Sequence, residues 1–127
     1  MLLFYLRNRF KSRQDFSRPQ VLLKSDYQFK GPLAENYVLQ QLKSQYDVAP
    51  RYYSTRYGEI DFLLQNGQEI IPVEVKDGTD KSAPTFKKYI SEKAPVTAVR
   101  FSEMGYVKNG AITNLPLYLA SAARRIL

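Results

Sequence analysis

The sequence predicts one α/β domain, a central mixed sheet with helices on both faces, and three observations lead there. The chain has 127 residues, 44% hydrophobic and 24% charged, which suits a single soluble domain around one sizeable core. Helical and strand-like patterns alternate in the order helix, strands, helix, strand, small hairpin, helix. Two Asn-Gly pairs, Asn66-Gly67 and Asn109-Gly110, lie between apolar runs where hairpin turns are expected.

The first 28 residues lack clean periodicity. MLLFYLRNRF suggests a short amphipathic helix and PQVLLK a short strand. Of the net charge of +7, residues 1–24 carry a balance of +5, from Arg7, Arg9, Lys11, Arg13, Arg18 and Lys24 against Asp15. Residues 1–28 therefore read as a basic arm, suited to phosphates or simply to solvent, ahead of a folded domain at 29–127. The apolar opening has its positive charges after it and no small-residue cleavage site, so it does not read as a signal peptide. No apolar run is long enough to span a bilayer, and the expectation is a cytoplasmic protein with no membrane partner. Cysteine and histidine are both absent. Disulfides, thiolate chemistry, imidazole metal sites and Ser-His-Asp catalysis are thereby excluded, and any metal must be a hard ion held by oxygen.

Residues 31–45, GPLAENYVLQQLKSQ, predict a helix with Gly31 as its cap and Pro32 in its first position. Leu33, Ala34, Tyr37, Val38 and Leu42 form its apolar face. At about 100° per residue, Glu35 falls beside Val38 and Leu42 at the edge of that face. Residues 50–55 predict a short strand, followed by strands at 58–65 and 69–76 around a type I′ turn at Asn66-Gly67. A second helix is expected over 81–93, apolar through Phe86, Tyr89 and Ile90 and basic through Lys81, Lys87, Lys88 and Lys93. A strand at 96–101, a hairpin of 106–108 with 111–114, and a helix at 116–127 complete the order.

A two-residue loop at 66–67 sets Phe62 opposite Ile71 and Ile60 opposite Val73. Ile60, Phe62, Leu64, Ile71, Val73 and Val75 then share an apolar face. Leu63 faces Ile70, Asp61 faces Pro72 and Glu59 faces Glu74 on the other. Asp61, Glu74 and Lys76 fall together at the strand ends away from the turn, with the two carboxylates diagonal neighbours. Carboxylates so placed repel unless a proton or a cation intervenes, and they can share a divalent ion. Phosphodiester hydrolysis asks for that arrangement plus a nearby positive group. Asp61 and Glu74 would hold Mg²⁺ or Mn²⁺, the Val75 carbonyl and Glu35 would add oxygen, and Lys76 would orient the attacking water. Glu59 reads as a structural charge.

Asp61 followed by Glu74-Val75-Lys76 resembles the PD-(D/E)XK signature of restriction-endonuclease-like nucleases. The segments KGPLAENYVLQQL, YYSTRYGEIDFLLQNGQEIIPVEVKDG, SAPTFKKYI and ITNLPLYLA together resemble a C-terminal domain of prokaryotic AAA-type ATPases, domain of unknown function 4143 (DUF4143). This likeness covers about residues 29–120. It implies an α/β/α restriction-endonuclease-like fold, with Glu35 as the helical acid, Asp61 as the strand acid, and Glu74 and Lys76 as the ExK pair. It also implies nucleic acid as partner, an ATPase module alongside, and pairing with a second copy. The chain departs from that pattern in having no G-x-x-x-x-G-K-[ST] phosphate loop, so no ATPase activity is assigned.

Arg51, Arg56 and Tyr57 before the acidic strand, and Lys87 and Lys88 on the second helix, are candidate nucleic-acid contacts, because interleaved basic and aromatic residues hold phosphates and stack bases. Two functions are thus expected: a metal-dependent nuclease-like domain acting on DNA, or a catalytically silent module of the same fold binding nucleic acid or a protein partner.

Overall fold

The computed structural model describes residues 27–76 and 83–127. The expectations for the basic arm before Tyr27, and for Lys81, lie outside the described residues. The chain forms α1 (Tyr27–Gln45), β1 (Arg51–Thr55), β2 (Gly58–Asn66), β3 (Glu69–Val75), α2 (Pro84–Lys93), β4 (Ala98–Ser102), β5 (Val107–Asn109) and β6 (Ile112–Pro116). It ends in a 3₁₀ helix (Leu117–Ala122) running into α3 (Ala123–Ile126). The six strands make one mixed sheet in the order β1-β2-β3-β4-β6-β5. The central pairs β3–β4 and β4–β6 are parallel and the flanking pairs antiparallel. This is the α/β class that the element order predicts.

Two cores lie on the sheet. Val38, Leu39 and Leu42 of α1 pack with Phe62, Leu64, Ile71, Val73, Val75, Val99, Phe101 and Leu115, together with Ala120 and Ala123 of the terminal helices. Phe86 of α2 packs with Ile60, Ala83 and Ala98, flanked by Tyr53, Tyr89 and Ile90. A sheet covered on both sides needs apolar residues at successive positions in its middle strand, and all five residues of β4 are buried. The terminal helices are latched to α1 through Gln45, whose Nε2 donates to the Ala120 carbonyl at 2.7 Å and whose Oε1 accepts from the Arg124 amide at 3.1 Å.

Several expectations are corrected. α1 begins at Tyr27, so Pro32 lies inside it and Gly31 is no cap. Only the first four amides of a helix lack partners, so a proline in the sixth position removes one backbone bond that the rest of the helix tolerates. Its buried face is Val38, Leu39 and Leu42, while Tyr37 is exposed. α2 starts at Pro84, the residue best suited to a first helical turn. The C-terminal segment is mostly 3₁₀ rather than α.

Both hairpin turns lie one residue later than the Asn-Gly signal suggests. Asn66 pairs with Glu69 and Asn109 with Ile112, leaving Gly67-Gln68 and Gly110-Ala111 as the loops. Gly67 and Gly110 have φ of 64° and 60°, while no other residue of either loop has positive φ. That is the pattern of a type II′ turn, which needs a left-handed residue only at its first central position and leaves asparagine in the strand. The register therefore moves by two: Phe62 faces Val73, Leu63 faces Pro72 and Gln65 faces Ile70. A shift of two preserves which residues share a face. Glu59 faces Ser54 of β1, not Glu74.

Candidate metal and nucleic-acid site

The site begins with an irregularity in β2. Tyr53 pairs with Ile60, yet Arg51 pairs with Leu63, so Tyr52 alone stands against both Asp61 and Phe62. Such a bulge breaks strict alternation and re-aims a side chain. Ile60 accordingly joins the α2-side core and Phe62 the α1-side core, which corrects the expectation that both share one face. Asp61, at the break, turns to β3: its Oδ2 accepts the Val75 amide at 2.7 Å. Continuing the observed register sets Asp61 directly across from Glu74, closer than the expected diagonal.

Glu74 is buried at 7% exposure, between Val73 and Val75 of the core. Lys76 Nζ lies 3.3 Å from its Oε1, but its Oε2 is buried with no hydrogen-bond partner. The backbone after it is fixed by the Lys76 amide donating to the Phe101 carbonyl at 2.8 Å. Burial, then the Glu74 and Glu35 carboxylates, push the Asp61 carboxyl up to about 8, against the Val75 hydrogen bond and the Lys76 charge. Glu74 is also raised, chiefly by burial, with Lys76 opposing and Glu35 adding to the rise. Glu35, half-buried on α1, thus acts on both acids through its charge. Tyr52 joins them from β1: burial, then Glu35 and Asp61, raise its phenol, and its ring packs 5.4 Å from Phe62.

Do these residues suit a hard cation? Among the described residues, no three Asp, Glu, His or Cys side chains come together as a metal-ready set. Mg²⁺, however, is usually held by one or two carboxylates with water and substrate phosphate completing its shell. The orphaned Glu74 Oε2, and two acids that each raise the protonation of their neighbourhood, are the electrostatic demand such an ion would meet. Asp61 and Glu74 are donors of the kind such an ion takes.

The basic candidates divide into separate places. Arg56 and Tyr57, in the β1–β2 turn, meet Lys88 of α2. Lys88 Nζ stands 3.7 Å from the Tyr57 ring centre and the Arg56 guanidinium carbon 4.7 Å from it. Gly58 permits this approach, because a side chain there would strike Thr85 of α2. Tyr53, Thr55 and Tyr89 complete a pocket of about 260 Å³. Lys87 lies elsewhere, lining a second pocket with Arg100 and Asn114. Arg51 is exposed at the start of edge strand β1, opposite Leu63, and joins neither group. Arg100 is missing from the sequence candidates, although a charge inside the apolar run VTAVRF is the same signal that marks Asp61 and Glu74.

The family described as domain of unknown function (DUF4143) matches residues 30–119. The chain belongs to the DUF4143 family. The DUF4143 domain is also similar, over 42 residues, to UPF0102 proteins of Thermotoga petrophila and Thermotoga maritima at 48% identity, and of Thermotoga neapolitana at 45%. That stretch is 33% of this chain and 39% of each relative, so the likeness spans about two-fifths of their length. No solved structure matches this chain. No helix among its described residues is long and apolar enough to cross a membrane.

Proposed function

We propose that this DUF4143 domain is a metal-dependent nuclease of the PD-(D/E)XK type, hydrolysing phosphodiester bonds of DNA. The observation that carries the reading is the bulge-aimed Asp61 set against buried Glu74, with the Glu74 Oε2 left unpartnered and Lys76 beside it. Asp61 and Glu74 would hold Mg²⁺ or Mn²⁺, helped by Glu35 and the Val75 carbonyl. The bound ion supplies Lewis acidity toward the phosphate and a lowered pKa for water.

The chain's own residues do the rest. The Val75 amide fixes the Asp61 carboxylate, and the Lys76 backbone bond to Phe101 fixes the strand end that bears Glu74. Lys76 holds its ammonium 3.3 Å from Glu74, where it can donate a hydrogen bond to an attacking water and offset the charge that develops on phosphate. Arg56 and Lys88 around Tyr57 would grip the backbone away from the cleavage point. An ATPase module and a second copy of the chain are proposed partners.

Glu74→Ala tests the reading. Cleavage of DNA in Mg²⁺ is expected to fall by at least about 10³-fold, since a ligand and an ordering contact go together. Mn²⁺ broadening of amide resonances is expected around Glu35, Asp61 and Glu74–Lys76 in the parent and to vanish in the variant. Broadening spread evenly over the surface would sink the metal site.

A silent binding module is the second reading, and one observation favours it. The Lys76 pairing of Glu74 and the raised Asp61 carboxyl together offset the burial of both acids without any ion. In that case Glu74→Ala leaves DNA binding within about twofold of the parent, with no cleavage in either protein.

A further inference from the structure

Across the sheet from Glu74 lies a second charged residue that the carboxylate site does not use. Arg100 of β4 is the register partner of Glu74 on one side and of Asn114 on the other. Its neighbours Val99 and Phe101 belong to the α1-side core, as do Val73 and Val75 beside Glu74. Alternation therefore sends Arg100 and Glu74 to the same, α2-facing side. Arg100 is only 7% exposed, and its Nε is buried with no hydrogen-bond partner. Glu74 is engaged by Lys76 rather than by its register partner Arg100, and the Lys88 ion pair is with Glu92. A guanidinium taken out of water without an anion is costly, because it is never deprotonated and cannot escape the penalty by losing its charge.

The surroundings supply room for that anion. Arg100 lines a pocket of about 200 Å³ with Lys87 from α2, Asn109 from β5, Met104 and Ile112. Asn114 also lines it, but its amide is committed, donating to the Met104 and Gly105 carbonyls at 3.2 and 2.9 Å and accepting from Ser102 Oγ at 2.8 Å. Its role is to hold the wall. The donors left over are the Arg100 fork, the Lys87 ammonium and the exposed Asn109 side chain. A planar fork backed by a point charge matches the oxygens of a tetrahedral phosphate.

We propose that this pocket is a phosphate-binding subsite in which Arg100 and Lys87 hold a phosphate oxyanion. The anion site stands on the buried Arg100 and its unpartnered Nε. Its assignment to the nucleic-acid backbone rests on the nuclease reading, in which the pocket takes a phosphate flanking the one bound at Asp61 and Glu74. Arg100 is then a substrate-binding residue and places the strand relative to the acids.

The test follows the Arg100 Nε–Hε resonance in the full chain with chelator present. Inorganic phosphate is titrated against chloride at matched ionic strength, followed by an oligonucleotide lacking terminal phosphates. A saturable shift with phosphate at millimolar concentration and none with chloride is expected, weakened about three- to tenfold in Lys87→Ala, a surface change that leaves the core intact. Movement with the oligonucleotide at lower concentration assigns the phosphate to the nucleic-acid backbone. Movement with inorganic phosphate alone keeps the site and assigns it to a free phosphate. An Arg100 resonance that stays fixed up to about 50 mM phosphate, or that moves equally with chloride, overturns the proposal. Arg100→Lys keeps the charge but loses the fork, and it is expected to weaken phosphate while retaining the parent's circular dichroism. The same titration beside Mn²⁺ broadening in the parent separates the two readings: a moving Arg100 beside carboxylates that show no localised Mn²⁺ broadening removes the nuclease and leaves the anion site, and the reverse removes only the anion site.

Discussion

Two buried polar groups sit on this sheet and are finished in opposite ways. At the β4–β6 end, Ser102 and Asn114 are saturated: Ser102 Oγ donates to Asn114 Oδ1 and accepts the Met104 amide, and the Asn114 amide closes on two loop carbonyls. At the β2–β3 end, Glu74 keeps an unpartnered oxygen and Asp61 is raised to about 8. Glu74 is about as hidden from water as Ser102 and Asn114, with Asp61 half-buried beside it, so burial alone does not separate the groups. Hydrogen-bond satisfaction does. A network whose members all have partners holds a loop in place. A network left short of partners and crowded with like charge is less stable than its shape requires, and such a debt is characteristic of sites that bind something.

The sharpest way to break this contrast is to remove one member of each group. Asn114→Ala strands the Ser102 hydroxyl and two carbonyls, and is expected to cost about 2–4 kcal/mol, lowering Tm by on the order of 10 °C or more. Glu74→Gln keeps the shape while relieving like charge, so it is expected to leave stability unchanged or to raise it by up to about 2 kcal/mol. Thermal unfolding in chelator checks both. A Glu74→Gln variant as damaged as Asn114→Ala would mean that the acids are a structural network like the other.

The second prediction uses the raised carboxyl. Between its ordinary 3.8 and about 8, Asp61 holds its proton in the folded chain and has lost it in the unfolded one. The folded state then binds more protons, so stability falls as pH rises through that window, by at most about 1.4 kcal/mol per pH unit. The direction for Glu74 is the same. Asp61→Asn is expected to flatten the dependence, as read from denaturant midpoints between pH 5 and pH 9. Metal must displace the same proton, so Mn²⁺ binding is expected to strengthen with pH up to about 8 and to release protons measurable by calorimetry in two buffers. A pH-independent affinity would remove Asp61 from the ligand set.

How much of this was legible in the chain follows from the range of each interaction. The apolar periods of α2 and of the strands are local, and Phe86, Tyr89 and Ile90 face inward as their spacing predicts. The acids stand out because each interrupts an apolar run, and the structure brings Asp61, Glu74 and Lys76 together. The observed register differs by two from the one a type I′ turn sets, because Asn-Gly admits two turn types and only the strand pairing decides between them. The bulge at Asp61 could not be read, since it arises from how Tyr52 meets β2 rather than from either strand alone. Arg100 interrupts an apolar run as the acids do, but that signal alone does not tell a site from a paired core charge. Its meaning depends on lacking a partner, and that is a property of the assembled sheet.

The smallest effect tests the surface against the interior. Lys88 lies over the Tyr57 ring and reaches Glu92 at 3.8 Å, both at exposed positions. Its contributions are a cation–π contact and a helix-surface ion pair, each worth less than about 1 kcal/mol in water and screened by salt. Lys88→Ala is therefore expected to shift Tm by a few degrees at most. If Arg56, Tyr57 and Lys88 grip a nucleic-acid backbone, the same change lowers affinity uniformly across sequences and reduces the slope of log affinity against log salt by about one. Binding measured at three salt concentrations reads both quantities. An unchanged salt slope with unchanged stability would make the cation–tyrosine cluster surface packing, leaving the Arg100 pocket as the place where this sheet meets an anion.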